Sequence, residues 1–154
     1  MPVSEIIDPA SIVLDLPASN KAEVLDFLAE LLYGNGVVSS KEIFKADVLL
    51  RESEGKTGIG GGVAIPHGKS EAVLRTCITV ARLKDPVQWE SVDGEPVALV
   101  ILFAVRRDDK NDYFVKLMSQ VARMLARERF CEALLAAESE RELLDLFMEN
   151  EERK

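Results

Sequence analysis

The chain contains one histidine, His67, and its immediate neighbours favour a chemical role for it. Imidazole has an ordinary pKa of about 6.5, close to neutrality, so it suits proton transfer or nucleophilic attack on phosphorus. Pro66 fixes its own φ and favours extended geometry at Ile65, while Gly68 permits a sharp turn after the histidine. We therefore expect the imidazole to be displayed at the end of a strand. A buried structural histidine is the alternative.

A glycine-rich stretch precedes His67, since five of the eight residues from 55 to 62 are glycine. Such a density costs conformational entropy, so it indicates unusual backbone angles or a close approach of the backbone to another group. Free backbone N–H groups in such a loop can cradle an anion. A phosphoryl group on His67 would add a charge of about −2 that must be met nearby. The residues expected to meet this charge are Arg51, Lys56, Thr57, Gly58, Gly60, Gly61, Gly68 and Lys69.

Other chemistries find less support in the sequence. A nucleotide-binding P-loop ending at Gly68-Lys69-Ser70 would need a glycine where Val63 stands. Serine hydrolysis lacks a G-x-S-x-G motif, although His67 could serve a triad with a distant serine and aspartate, or a dyad with Cys77. One histidine excludes metal sites built from two or three imidazoles, and we expect no metal or other cofactor.

Composition limits the partners and the compartment. Nineteen Lys and Arg against 27 Asp and Glu give a net charge of −8, so the concentrated basic face of a nucleic-acid-binding protein is not expected. Two cysteines are too few for a disulfide framework and indicate a reducing compartment. The first residues lack a signal-peptide pattern, and the longest apolar run, Val97–Val105, is about half of a membrane span. We therefore expect a cytoplasmic protein, at most peripheral to a membrane complex.

The elements that must position His67 follow from hydrophobic periodicity. Strands are predicted in the middle of the chain, and the third is apolar at every position, which is typical of a strand covered on both faces. Helices are predicted before and after them, so we expect a single α/β domain with helices on both faces of a mixed sheet. The predicted strands are Val63–Ile65, Cys77–Leu83 and Val97–Ala104. The predicted helices are Asn20–Tyr33, a helix from a Ser39-x-x-Glu42 capping box to about Arg51, Asp112–Arg127, Arg129–Ala137 and Ser139–Met148.

The segments Leu49–Glu52 and Thr57–Lys69 resemble the active-site segment of enzyme IIA domains of the fructose/mannitol type. These domains are phosphoryl carriers of the bacterial phosphotransferase system, and the group includes stand-alone nitrogen-regulatory members. The similarity extends over nearly the whole chain, including Ile12–Leu16, Asp93–Val97 and the closing helices. It implies one IIA domain over residues 1–154, with its core at about residues 5–149.

The resemblance implies that His67 accepts a phosphoryl group from an HPr-like carrier, then passes it to a IIB component or signals by its phosphorylation state. Arg51 matches the family's active-site arginine, and Glu52 and Lys69 are candidates for supporting roles. Many members have a second histidine where this chain has Phe114, whose ring cannot donate a hydrogen bond to phosphate. The alternative function is a regulatory module that controls a kinase or transporter by contact, independently of phosphorylation.

Overall fold

The computed structural model describes residues 2–151, which form one six-stranded sheet and five α-helices, with a short 3-10 helix at Val3–Glu5. The strands are β1 (Ile7–Leu16), β2 (Gly58–Gly60), β3 (Val63–Ala64), β4 (His67–Ser70), β5 (Cys77–Val87) and β6 (Val97–Arg106). The helices are α1 (Lys21–Gly34), α2 (Lys41–Glu54), α3 (Asn111–Leu125), α4 (Glu128–Ala136) and α5 (Glu140–Asn150).

The sheet has the order β1-β5-β6-β3-β2, and β4 also pairs with β6. β1 runs parallel to β5, β5 runs antiparallel to β6, and both β3 and β4 run parallel to β6. Because alternate strand residues point to opposite faces, the sheet divides the apolar core into two parts. One part packs against α1 and α2, and the other against α3, α4 and α5. The predicted mixed sheet with helices on both faces is confirmed.

All five predicted helices are present, with ends shifted by one to three residues. The side chains that cap α1, α2 and α5 are those of Asn20, Ser40 and Ser139. The predicted cap of α2 at Ser39 is wrong, because the N–H of Ser39 donates to the Ala72 carbonyl and the helix begins later. α2 runs on to Glu54, so Arg51 lies in its last turn. None of the helices in residues 2–151 is long and apolar enough to cross a membrane.

The three predicted strands appear as β3, β5 and β6, and β5 extends to Val87. The strands β1, β2 and β4 were not predicted, because they form by pairing with neighbouring strands and have no clear hydrophobic alternation of their own. Pro9 and several polar residues break the alternation in β1, and β4 contains a glycine. β4 matters most for the site, because it carries His67.

Candidate active site

His67 begins β4 and lies beside the buried central strand β6. Val63 pairs with Leu99 and His67 pairs with Phe103, so β3 and β4 follow one continuous register along β6. Pro66 separates the two strands because it has no N–H to donate, although its carbonyl accepts a hydrogen bond from Phe103 at 3.0 Å. The histidine therefore stands at the end of a strand, as predicted, and is held there by the sheet register.

Gly68 allows helix α2 to approach β4 closely. A Cβ atom at this position would lie 2.7 Å from Val48 Cγ2 and 3.1 Å from Phe44 Cε1, both in α2. The predicted sharp turn at Gly68 is wrong, because the residue continues β4 and pairs with Ala104. Its missing side chain serves packing of the helix on the strand. Arg51 follows Val48 by three residues, on the same side of the helix, so this contact brings Arg51 towards the histidine.

The environment of His67 keeps its imidazole neutral. Burial, followed by the positive charge of Arg51, lowers the His67 pKa from 6.5 to about 4. A neutral imidazole has a lone pair on one ring nitrogen, which is the form that attacks phosphorus. The Arg51 guanidinium makes a long hydrogen bond of 3.4 Å to the Gly55 carbonyl. Most of its five N–H donors are thus not engaged by residues 2–151, which leaves them available to bind an anion.

Phe114 packs on the histidine ring from α3. The two ring centroids are 4.8 Å apart at an interplanar angle of 50°, and Phe103 lies edge-on to Phe114 at 6.2 Å. His67 Nδ1 is buried and makes no hydrogen bond to any residue from 2 to 151. Nε2 is therefore the ring nitrogen that an incoming group can reach. Phe114 was singled out from the sequence, and the structure brings it into direct contact with His67.

The glycine-rich hairpin lies away from the imidazole. Gly60 pairs with Val63, whose partner on β6 is four residues from the partner of His67. At 3.3 Å per residue, that separation is about 13 Å along the sheet. Gly60 and Gly61 have positive φ values of 94° and 67°, which explains the glycines as turn residues.

The backbone N–H groups of this hairpin are already engaged. The N–H of Gly58 donates to the Glu90 carbonyl at 3.0 Å, and that of Gly61 donates to the Asp93 carboxylate at 3.1 Å. The prediction of free N–H groups is wrong at these two positions. Gly58 is also tightly packed, since a Cβ atom there would lie 2.5 Å from Ser91 Cβ. The hairpin is anchored to the turn at residues 91–94 and does not surround the histidine.

Thr57 and Glu52 belong to a buried polar cluster at the end of α2. The Thr57 hydroxyl donates to Glu52 Oε1 and accepts from Trp89 Nε1, both at 2.9 Å. Lys21 also contacts Glu52 Oε1, at 2.6 Å, and pairs with Glu90 at 2.7 Å. The hydroxyl and one carboxylate oxygen are thus engaged inside the protein. Lys21 and Trp89 were missed from the sequence because nothing local links them to the histidine segment.

Lys69 lies two residues after His67, and therefore on the same face of the sheet. Its ammonium group donates a short hydrogen bond to Asn111 Oδ1 at the start of α3. This contact ties β4 to the helix that carries Phe114. Lys56 is exposed just before the hairpin. No group of three or more His, Cys, Asp and Glu residues within 2–151 is placed to hold a metal ion.

Cys77 does not form a catalytic dyad with His67. It lies on β5, in the core that faces α1 and α2, and is 1% exposed. Burial is the main cause that raises the pKa of its thiol to about 11, so the reactive thiolate is scarce at neutral pH. The histidine faces the opposite core through Phe103 and Phe114.

The chain is similar in sequence to known proteins along nearly its whole length. Residues 5–150 match the family described as phosphoenolpyruvate-dependent sugar phosphotransferase system, EIIA 2. The fructose-specific EIIABC component of Bacillus subtilis is 33% identical over 151 residues, which are 98% of this chain and 24% of that protein. The chain thus spans about a quarter of that relative. A nitrogen regulatory protein of Klebsiella oxytoca is 36% identical over 131 residues, 84% of this chain and 80% of that protein.

Solved structures have the same fold. The nitrogen regulatory protein IIA-Ntr of Neisseria meningitidis superimposes with a TM-score of 0.87 at 27% identity, over 94% of this chain and 98% of that one. Enzyme IIA for mannitol from Escherichia coli, in its complex with phosphorylated enzyme IIB, gives a TM-score of 0.77 at 26% identity, over 93% and 97% of the two chains. The chain belongs to the EIIA 2 family of the phosphoenolpyruvate-dependent sugar phosphotransferase system.

Proposed function

We propose that His67 accepts a phosphoryl group on Nε2 and that the chain carries this group between two protein partners. The observation that carries this proposal is a neutral imidazole, buried at Nδ1 and reachable only through Nε2, within the electrostatic influence of the Arg51 guanidinium. An uncharged nucleophile beside a fixed cation suits transfer of an anionic group, because the cation stabilises charge on the three phosphoryl oxygens. Its placement on a sheet strand between two helices supplies the rigidity that in-line transfer needs.

The transfer exchanges one P–N bond for another. Nε2 of neutral His67 attacks the phosphorus of a phosphohistidine on the donor, the donor's P–N bond breaks, and its electron pair returns to the donor imidazole. The new P–Nε2 bond leaves the His67 ring with the proton already on Nδ1. The ring becomes neutral when it releases that proton to solvent, and the donor imidazole takes up one proton from solvent in exchange. Arg51 holds the phosphoryl oxygens during the exchange. Passing the group onward reverses these steps with the next partner's nucleophile.

The donor in this proposal is a histidine-phosphorylated HPr-like carrier, and the acceptor is a IIB component. The complex of the similar mannitol enzyme IIA with phosphorylated enzyme IIB supports the second partner. Two exposed apolar side chains are neighbours in sequence of residues of the site, and we take them as the docking surface: Leu50, next to Arg51, is 62% exposed, and Val115, next to Phe114, is 61% exposed. We place this exchange in the cytoplasm, with contact to a membrane complex only through the IIB partner, and treat residues 1–154 as one functional domain.

A regulatory role is the second candidate. Nitrogen regulatory proteins match this chain over four-fifths of their own length, and one of them has the highest structural overlap quoted above. In that case the phosphorylation state of His67 would change binding to a kinase or transporter. Binding that is the same for wild type and His67→Ala, with or without the phosphoryl donor, would instead favour a module that works by contact alone.

The test is phosphoryl uptake from a radiolabelled, histidine-phosphorylated HPr-type donor. We expect one acid-labile, base-stable phosphoryl group per chain in wild type and none in His67→Ala. Arg51→Ala should slow uptake by about 100-fold, the typical effect of removing a charge-stabilising donor. Arg129→Ala, an exposed arginine on α4, is the matched control and should label at the wild-type rate. Equal labelling of wild type and His67→Ala would reject the proposal.

A further inference from the structure

The surroundings of His67 Nδ1 bear on how long a phosphoryl group would stay on the protein. Nδ1 is buried and without a hydrogen-bond partner in residues 2–151, and the Phe114 ring lies 4.8 Å from the imidazole. Phe103, 1% exposed, is the register partner of His67 on β6, and its ring meets Phe114 edge-on at 6.2 Å. Within residues 2–151, no group therefore accepts a hydrogen bond from this nitrogen, and the aromatic ring in contact with the imidazole is apolar.

Protonation of Nδ1 controls the hydrolysis of a phosphohistidine. Water attacks phosphorus, the P–Nε2 bond breaks, and the electron pair returns to Nε2. When Nδ1 carries a proton, the leaving group is neutral imidazole and the products are His67 and inorganic phosphate. When Nδ1 is unprotonated, the leaving group is an imidazolate anion that must then take a proton from water. Loss of the phosphoryl group is therefore faster from the protonated ring.

We propose that Phe114 makes the phosphorylated form long-lived. Its apolar ring packs on His67 and provides no group that would stabilise a proton on Nδ1, and hydrolysis needs that proton. This inference rests on the proposed function and adds a role to the position where the family's second histidine is missing. Phe114 acts through the ring of His67 and so is a positioning residue. The chain would then keep its phosphoryl group until a partner removes it. The phosphorylated fraction of the protein would therefore reflect how much phosphorylated donor has been available.

The other groups around the imidazole act in the same direction or are neutral. Arg51 on α2 is the charged group whose field reaches the ring, and its positive charge disfavours a proton on Nδ1. Phe103 on β6 and Phe114 on α3 carry no charge. Lys69 on β4 is bonded to Asn111. The lowered pKa of unphosphorylated His67 agrees with this arrangement. The phosphoryl group itself favours the proton, but equally in wild type and in Phe114 variants.

The experiment compares the decay of the phosphorylated protein in wild type and three variants. Phosphoramidate phosphorylates histidine without a protein donor, so every sample is labelled chemically, and the remaining protein-bound phosphate is followed from pH 5 to pH 8. Phe114→His and Phe114→Gln place an imidazole or an amide oxygen beside the His67 ring to accept a hydrogen bond from Nδ1, and Phe114→Leu stays apolar as the control. Near pH 6.5 we expect Phe114→His and Phe114→Gln to decay about tenfold faster than wild type, the factor for a one-unit rise in the Nδ1 pKa.

The pH profile separates this role from simple packing. In a plot of decay rate against pH, the rise in rate at low pH should begin about one pH unit higher in Phe114→His and Phe114→Gln than in wild type. In Phe114→Leu it should lie within about 0.3 pH unit of wild type. Thermal unfolding confirms that each variant is folded. Equal decay in wild type and both polar variants would overturn the inference, and so would Phe114→Leu decaying as fast as they do. Failure of phosphoramidate to label His67 would also overturn it, whereas chemical labelling without uptake from the HPr-type donor would reject only the proposed function.

Discussion

Gly68→Ala tests whether close packing of α2 on β4 builds the site. The new Cβ atom would lie 2.7 Å from Val48 Cγ2 and 3.1 Å from Phe44 Cε1, whereas carbon atoms at rest are about 3.5–4.0 Å apart. Val48 and Phe44 are each 1% exposed. A β-branched side chain in a helix has one strongly preferred rotamer, so Val48 cannot simply turn away. The helix must therefore move by about 1 Å, the shortfall in contact distance.

The expected cost follows from that overlap. Overpacking of a buried site destabilises by about 1–3 kcal/mol. For a chain of this size, about 2 kcal/mol corresponds to a drop in Tm of about 4–8 °C. Because the displaced helix carries Arg51, phosphoryl uptake at a temperature where the protein is still folded should also slow. Both quantities are measurable, by circular dichroism melting and by the radiolabelled donor assay.

Two further proteins make the test specific. Gly34→Ala is the matched control, because no atom of residues 2–151 outside the adjoining backbone lies within 4 Å of its Cβ position at the end of α1. It should keep or slightly raise the Tm. Val48→Ala removes the clashing methyl groups, so the double variant should lose less stability than the sum of the two single changes. A Gly68→Ala protein that melts and takes up phosphate like wild type would refute the packing argument.

The remaining predictions concern the hairpin, the docking surface, pH and the far side of the sheet. Gly61→Ala has space for a methyl group but a φ of 67°, so it should lose about 1 kcal/mol of stability while phosphoryl uptake stays at the wild-type rate. Slowed uptake would show that the hairpin contributes to phosphoryl transfer. Leu50→Asp should raise the KM for the HPr-type donor with little change in Tm. Leu135 on α4 is 38% exposed, and Leu135→Asp should leave this KM unchanged. An equal change in KM for the two variants would contradict the proposed docking surface. The lowered pKa of His67 means that the unfolded chain binds its proton first, so the free energy of unfolding should fall as pH drops from 6.5 to about 4, and less so in His67→Gln. The same slope in both proteins would show that His67 is not the group responsible. Arg82 donates to the Leu134 and Leu135 carbonyls at 3.3 and 3.2 Å near the end of α4, so Arg82→Met should lower stability by about 1–3 kcal/mol in urea titration; an unchanged midpoint would contradict this.

The segment around His67 shows which structural features can be predicted from neighbouring residues alone. Composition alone identified the single imidazole, and the flanking proline correctly indicated extended backbone around it. The meaning of the glycines could not be deduced in the same way. Gly61 and Gly68 look alike in the sequence, yet Gly61 has a positive φ in a turn and Gly68 leaves room for Val48. That difference depends on which element packs against each residue, and no local pattern contains it.

The same limit applies to Thr57. Its position beside the glycine-rich stretch suggested a hydroxyl for phosphate, but Trp89 and Glu52 already occupy it. Trp89 is 32 residues away in the chain and reaches Thr57 only because the segment before β6 folds back along β2. Long-range hydrogen bonds of this kind arise from the sheet order, so the sequence could not show that this hydroxyl already has two partners inside the protein.

The sequence by itself determined the proposed reactive residue, the helices with most of their caps, and the buried strand β6, because these depend on side-chain type and on spacing along the chain. Tertiary structure decided the rest. The register of β4 on β6 buried one nitrogen of His67 and exposed the other, the close packing at Gly68 brought Arg51 within electrostatic reach, and α3 placed Phe114 against the ring. Each of these depends on contacts between residues far apart in the chain, and together they set the chemistry of the imidazole.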